Sequence, residues 1–174
     1  IGLAVTPADP SLVYATIEAS SEEKGFYRSR DRGESWEKRN GYISGGTGPH
    51  YYQEIEASPT NPDLVYQMDV FLQVTRDGGK AWANVAANIP GLPRNTWATT
   101  VEASPHAEGT AFATFDGHYA GDFKTYVYRT TDHGKTWTSL ATSALQGYAH
   151  VIRQDLVSPD LLFLGTESGL FVSV

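Results

Sequence analysis

The sequence predicts an all-β fold in which one antiparallel, four-stranded unit is used repeatedly, and three observations carry that prediction. An octapeptide pattern occurs three times, as SRDRGESW at 29–36, TRDGGKAW at 75–82 and TTDHGKTW at 130–137. A second pattern precedes each copy and occurs once more near the end of the chain. No stretch sustains the 3.6-residue apolar spacing of an amphipathic helix, while short runs rich in Val, Tyr, Phe, Thr and Trp alternate with turn residues.

The upstream pattern reads LAVTPADPSLVYATIE at 3–18, IEASPTNPDLVYQMDV at 55–70, VEASPHAEGTAFATFD at 101–116 and IRQDLVSPDLLFLGTE at 152–167. Its anchors, Pro7, Pro59, Pro105 and Leu156, are 52, 46 and 51 residues apart. That period fits a β-propeller blade and is too long for an ankyrin or tetratricopeptide unit. Within a unit the elements follow in order. A first strand such as QEIEA ends at a turn built on Pro and Asn or Asp. A second such as LVYQM and a third such as FLQVT follow, the octapeptide makes the next turn, and a strand opening with Trp closes the blade. The expected architecture is a partial β-propeller of three complete blades plus most of a fourth. The chain forms a single segment, 1–174, with blades at about 1–40, 51–87, 97–141 and 148–174. The final GLFVSV at 169–174 aligns with GFYRSR at 25–30, so the last blade is expected to stop before its own octapeptide. The missing blades are expected either in a longer protein or in a second partial ring, a homo-oligomer that closes the propeller; a further alternative is an excised or engineered partial propeller that binds no ligand and only self-associates.

The octapeptide has a physical logic. Ser29, Asp31, Gly33 and Trp36 align with Thr75, Asp77, Gly79 and Trp82, and with Thr130, Asp132, Gly134 and Trp137. The Asp accepts bonds from backbone N–H groups ahead of it, the Gly supplies a positive φ, and the Trp ring is expected to bury against the preceding strands. These aspartates are read as turn braces rather than as catalytic or metal-binding groups. Ser/Thr-x-Asp-x-Gly-x-Thr/Ser-Trp, once per blade, resembles the Asp-box or BNR repeat. That repeat occurs in sialidases, xyloglucan-cleaving enzymes, sortilin-type receptors and secreted bacterial proteins labelled as glycosyl hydrolases, and the chain is most similar to the last, sortilin-like group. Box two departs from the pattern, with Ala81 where Thr or Ser is usual. The resemblance implies a secreted or periplasmic bacterial protein; it covers enzymes and binders alike, so it does not set the activity.

Composition narrows the classes further. A net charge of −7 and no run of Lys or Arg argue against nucleic acid and anionic membrane surfaces as partners. The longest apolar runs are too short to cross a bilayer. The absence of cysteine excludes disulfides, thiolate metal sites and cysteine nucleophiles. No cofactor motif is visible, and neither a Ser–His–Asp grouping nor a phosphate-binding glycine loop with its lysine occurs.

In a blade, the first-to-second and third-to-fourth turns share one rim, so a ligand site is expected on the opposite face. On that face lie NGYISGGTGPHYY (40–52), NIPGLPRNTW (88–97), DGHYAGDFKT (116–125) and TSALQGY (142–148). Tyr51, Trp97 and Tyr148 each stand eight positions before an anchor, followed two residues later by Gln53, Thr99 and His150. Aromatic rings at a channel mouth suit stacking of sugar rings or peptide, with polar neighbours fixing orientation. The alternative is packing between blades. The candidate ligand-binding residues are His50, Tyr51, Tyr52, Trp97, His118, Tyr119, Tyr148 and His150, and the expected partner is a glycan or a protein segment.

Catalytic residues are expected to be absent. The enzyme alternative is a glycoside hydrolase fragment with carboxylates drawn from Glu56, Glu102, Asp116 and Asp122, since glycosidases need two carboxyl groups about 5–10 Å apart. Glu102 has a simpler expectation, an ion pair with Arg153 on the neighbouring blade. The insertion FDGHYAGDFK at 115–124 places Asp116 and His118 two apart, as a metal site would, but it offers no third firm ligand and reads equally as an exposed glycine-rich loop. No metal is expected. A sialidase needs an arginine cluster, and only Arg153 lies on a first strand here.

Overall fold

The computed structural model describes residues 1–41, 54–68 and 71–173 of the chain. These form two compact units, Ile1–Asn84 and Val85–Val174. In the first unit, one sheet runs β1 (Gly2–Val5), β2 (Val13–Ile17), β3 (Gly25–Ser29), β4 (Glu37–Asn40), each strand antiparallel to the one before. The next runs β5 (Glu54–Ala57), β6 (Val65–Met68), β7 (Leu72–Thr75), β8 (Ala83–Asn84) in the same way. The second unit holds a four-stranded meander of β9 (Trp97–Ala103), β10 (Ala111–Gly117), β11 (Asp122–Thr130) and β12 (Thr138–Ser139). Its other sheet has three strands, β13 (Ala149–Gln154), β14 (Leu162–Thr166) and β15 (Gly169–Val172). Among the described residues, helix is confined to two single 3₁₀ turns, Ala86–Asn88 and His118–Ala120.

Each unit buries apolar side chains between its two sheets. In the first, Tyr14, Phe26, Ile55, Ala57 and Val65 form one cluster. Tyr14 stacks on Phe26 at 5.4 Å, and Trp82 of the neighbouring sheet meets Phe26 edge-on at 4.9 Å. Gly79 lies directly under Phe26: a Cβ there would come within 2.3 Å of the ring. In the second unit, Phe112, Val127, Ala149, Ile152 and Leu164 play the same part. Burying the larger apolar members of these clusters contributes about 1.5–3 kcal/mol each. Hydroxyls join the sheets across each wedge: Thr6 Oγ1 donates to the Ser58 carbonyl at 2.6 Å, and Thr100 Oγ1 to the His150 carbonyl at 3.0 Å.

The three octapeptides close their turns in one geometry. In box three, Gly134 N–H donates to Thr130 Oγ1 at 2.9 Å, while Asp132 Oδ1 accepts from Thr130 Oγ1 at 2.9 Å and from Thr136 N–H at 2.9 Å. The Thr136 hydroxyl reaches Asp132 Oδ2 at 2.6 Å, and Trp137 Nε1 donates to the Gly134 carbonyl at 3.1 Å. Box one repeats the set with Ser29, Asp31, Gly33, Ser35 and Trp36. These bonds hold the Asp31 and Asp132 carboxyls down at about 2, the hydroxyls of Ser35 and Thr136 contributing most. Box two keeps the bonds from Thr75, Lys80 and Ala81 to Asp77 Oδ1 but lacks the hydroxyl that Ala81 cannot supply, and its Trp82 Nε1 is buried without a partner.

The positive φ spans two residues rather than one. Arg32 (φ 62) and His133 (φ 63) precede Gly33 and Gly134, and in box two the position is Gly78 (φ 67). Each of these residues donates its N–H to the first turn of its blade, at Ser11, Gly109 and Asp63. Trp36 corrects an expectation. Trp137 is only 5% exposed, but Trp36 is 42% exposed. Trp82 gains cover from Phe26, and among the described residues Trp36 has no such aromatic partner.

Candidate functional site

Antiparallel order places the boxes at one end of each sheet and the second-to-third turns, with the entries to the first strands, at the other. In the second unit that other end gathers residues from three places: the β10–β11 turn, the entry to β13, and the β14–β15 turn. The stretch 115–124 is not a loose loop, which corrects one sequence reading. It is the tip of the longest hairpin, where β10 and β11 pair from Ala111–Thr130 out to Gly117–Asp122. Its 3₁₀ turn ends at Gly121, whose φ of 75° reverses the chain.

Asp116 is the base of the site. It is buried, accepts the His118 backbone N–H on Oδ1 at 2.8 Å, and takes His118 Nδ1 on Oδ2 at 2.5 Å. An ionised carboxylate only accepts, so Nδ1 carries the proton. The imidazole so fixed touches two phenol rings, Tyr119 at 4.0 Å and tilted by 35°, and Tyr148 at 4.7 Å and stacked within 21° of parallel. His150 meets the Tyr148 ring at 4.9 Å and Phe123 approaches it at 6.2 Å. Glu167, on the β14–β15 turn, binds His150 Nε2 at 3.3 Å and accepts from the Tyr148 hydroxyl. Those two bonds, the one from His150 foremost, hold the Glu167 carboxyl below its ordinary range, and the bond to Glu167 pushes the Tyr148 phenol up. Asp122 accepts from the Tyr126 hydroxyl at 2.6 Å, which lowers its carboxyl.

The backbone beneath the rings is tied down from several strands. Thr125 Oγ1 donates to the Gly147 carbonyl at 2.5 Å, Thr166 Oγ1 to the Gln146 carbonyl at 2.7 Å, and Glu167 N–H to the Tyr148 carbonyl at 3.0 Å. A supported site of this kind keeps its rings in place before a ligand arrives. Tyr119 and Phe123 are the open part of the cluster, 83% and 63% exposed.

Of the residues singled out by sequence, His118, Tyr119, Tyr148 and His150 come together here, joined by Asp116 and, through the hairpin, Asp122. Trp97 opens β9 half-buried, opposite Asp116 in the ladder. His50, Tyr51 and Tyr52 lie outside the described residues. Glu56 sits on β5 in the first unit. Glu102, on β9, binds Arg153 Nη1 at 2.8 Å and the Gln154 N–H at 2.8 Å. Phe123 and Glu167 were missed by sequence reasoning. Phe123 sits inside the quoted insertion, and Glu167 closes the fourth copy of the upstream pattern in register with Asp116, but its contact with Tyr148 and His150 arrives through the fold. Among the described residues, no group of three or more His, Cys, Asp or Glu is placed to hold a metal ion.

The family model described as BNR/Asp-box repeat matches residues 27–38 and 128–139, the first and third boxes. The second, without the hydroxyl at Ala81, falls outside the match. Among solved structures, the GH74 enzyme of Niastella koreensis superposes with a TM-score of 0.72 at 15% identity, over 99% of this chain and 28% of that one. An ancestral GH74 enzyme gives 0.69 at 17% identity, over 98% of this chain and 22% of that one. The chain carries Asp-box repeats on a β-propeller fold. Among the described residues, three of its sheets have four strands and the fourth has three. Another structure similar to this propeller segment is "YCF48 bound to D1 peptide", with a TM-score of 0.56 at 16% identity, over 96% of this chain and 51% of that one. Among curated proteins, the "Probable oligoxyloglucan-reducing end-specific xyloglucanase" of Neosartorya fischeri is 26% identical over 159 residues, covering 83% of the Asp-box segment. The segment spans 18% of that relative's own length.

Proposed function

We propose that this Asp-box propeller segment is a non-catalytic recognition surface that binds a glycan on the His118–Tyr119–Tyr148 ring cluster. The observation that carries the reading is a cluster of three rings in contact, Tyr148 stacked on His118 and Tyr119 tilted against it, held by a buried carboxylate and open to solvent through Tyr119. Sugar rings present apolar C–H faces to such surfaces, and flanking polar groups orient their hydroxyls. Its 26%-identical relative is named for action on xyloglucan oligosaccharides, which makes a plant-type β-glucan the first ligand to try. Secretion follows from the same reading, because such polymers lie outside the cell.

The carboxylates favour binding over catalysis. A general acid needs a raised titration, and every Asp or Glu with a displaced one among the described residues, Asp122 and Glu167 included, lies below its ordinary range. Glu102 is engaged by Arg153. The hydrolase-fragment reading keeps one favourable feature, the position of Asp116 and Asp122 on one hairpin tip. Calorimetric titration of the chain with xyloglucan oligosaccharides tests the proposal. Tyr119→Ala should weaken binding about three- to tenfold, within the span of a lost stacking contact, while Trp137→Ala should affect folding instead. Equal loss of affinity in both variants, or release of reducing sugar by the wild-type chain that Asp116→Asn abolishes, would overturn it.

A further inference from the structure

The exposed charge around the ring cluster is mainly negative. Asp122 on the β10–β11 tip and Glu167 on the β14–β15 turn flank Tyr119, Phe123 and, at the entry to β13, Tyr148, while Asp116 lies buried against His118 and Lys124 is the lysine beside Asp122. Asp122 and Glu167 are held in the anionic form by the hydrogen bonds they accept. Glu167 carries its charge at the surface, its side chain 59% exposed, beside His150 and the Tyr148 hydroxyl. The faces of phenol and phenyl rings are themselves electron-rich and attract cations that come within about 6 Å. Carboxylates beside exposed rings therefore present a surface that stacks on a ring and attracts positive charge in the same place. The chain as a whole reinforces this, with a net charge of −7.

Resting on the glycan reading above, we infer that the site selects glycans carrying protonated amino groups, that is β-linked amino sugars, over neutral glycans of the same backbone and over uronic-acid glycans. The sugar ring stacks on Tyr119, and its ammonium group lies toward Glu167. Acidic glycans are repelled by the same carboxylates. Neutral glycans keep the stacking and gain nothing from the charge.

The probes are three matched hexamers, β-1,4-linked glucosamine, β-1,4-linked glucose and β-1,4-linked glucuronic acid, with a lysine oligomer of equal charge as control. At low ionic strength the glucosamine hexamer should bind about fivefold or more tighter than the glucose hexamer, and that ratio should shrink toward one as salt shortens the range of the field. Glu167→Gln should narrow the ratio severalfold, and Tyr119→Ala should weaken both neutral and cationic sugars. The glucuronic acid hexamer should bind most weakly of the sugars. If glucose and glucosamine hexamers bind equally, or Glu167→Gln leaves their ratio alone, the selectivity is wrong while the glycan site stands. If the lysine oligomer binds as tightly as the amino sugar, the attraction is one of bare charge and the inference falls. If no hexamer binds, or Tyr119→Ala changes nothing, both the inference and the glycan reading fall.

Discussion

Replacing Asp132 by Ala removes an acceptor that three groups use: the Thr130 hydroxyl, the Thr136 N–H and the Thr136 hydroxyl, at 2.9, 2.9 and 2.6 Å. A net hydrogen bond contributes about 1 kcal/mol, but Thr136 is exposed and its groups return to water, so the expected loss is about 1–2 kcal/mol. The titration gives a consistent bound. The Asp132 carboxyl is lowered to about 2 in the fold, chiefly by the Thr136 hydroxyl. Against an unfolded value of about 3.9, that amounts to at most roughly 2–3 kcal/mol, which solvent screening cuts by about half. Because the folded value is depressed, the stabilisation is fully present above about pH 4 and is lost as the pH falls through about 2. Urea unfolding of wild type and Asp132→Ala at about pH 7 and again at about pH 2 measures both parts. The penalty should appear at neutral pH and largely vanish in acid, and Asp132→Asn, which keeps an acceptor for the Thr136 N–H, should fall between the two. A penalty that is the same at both pH values would refute the brace as an ionic acceptor. Loss of ligand affinity without loss of stability would refute the structural role altogether.

Three further outcomes test the same framework. Ala81→Thr should stabilise the protein by about 0.5–1 kcal/mol by giving Asp77 the hydroxyl that Ser35 and Thr136 give its counterparts, read as a higher urea midpoint. Gly79→Ala should cost about 3 kcal/mol, because a methyl group at φ 94 would press within 2.3 Å of the Phe26 ring; a near-neutral result in the same assay would contradict the packing. Arg153→Ala, which removes a 59%-exposed partner of Glu102, should cost less than about 1 kcal/mol and leave glycan affinity alone, whereas a large affinity loss would return Glu102 to the site.

The fold was legible because the turn chemistry is local. Ser29, Asp31, Gly33 and their counterparts bond within a span of a few residues, so the spacing that marks them is the geometry itself. The first turn carries a similar local signal beside the conspicuous Pro at three of the four anchors: Thr6, Ser58, Ser104 and Asp155, each just before an anchor, accept backbone N–H groups two or three residues on. The non-glycine residues at positive φ, Arg32 and His133, were not foreseeable, since the N–H bonds to Ser11 and Gly109 that hold them cross from one turn to another. The site was half legible for the same reason. Asp116 and His118 are neighbours in sequence and their pairing is local, whereas Glu167 meets Tyr148 and His150 only because β13 and β14 lie side by side. The exposure of Trp36 depends on what packs over it, which the box pattern does not encode.

The central claim is that the ring cluster of the second unit, at the end away from the boxes, receives a glycan. Its most direct test is an NMR titration of the chain with a β-glucan or amino-sugar hexamer, following the ring protons of its five histidines. The account predicts that His118 and His150 shift together and saturate at one affinity, while His106 and His133, at the box end of the same unit, stay in place. Shifts at His106 and His133 with none at His118 would contradict it.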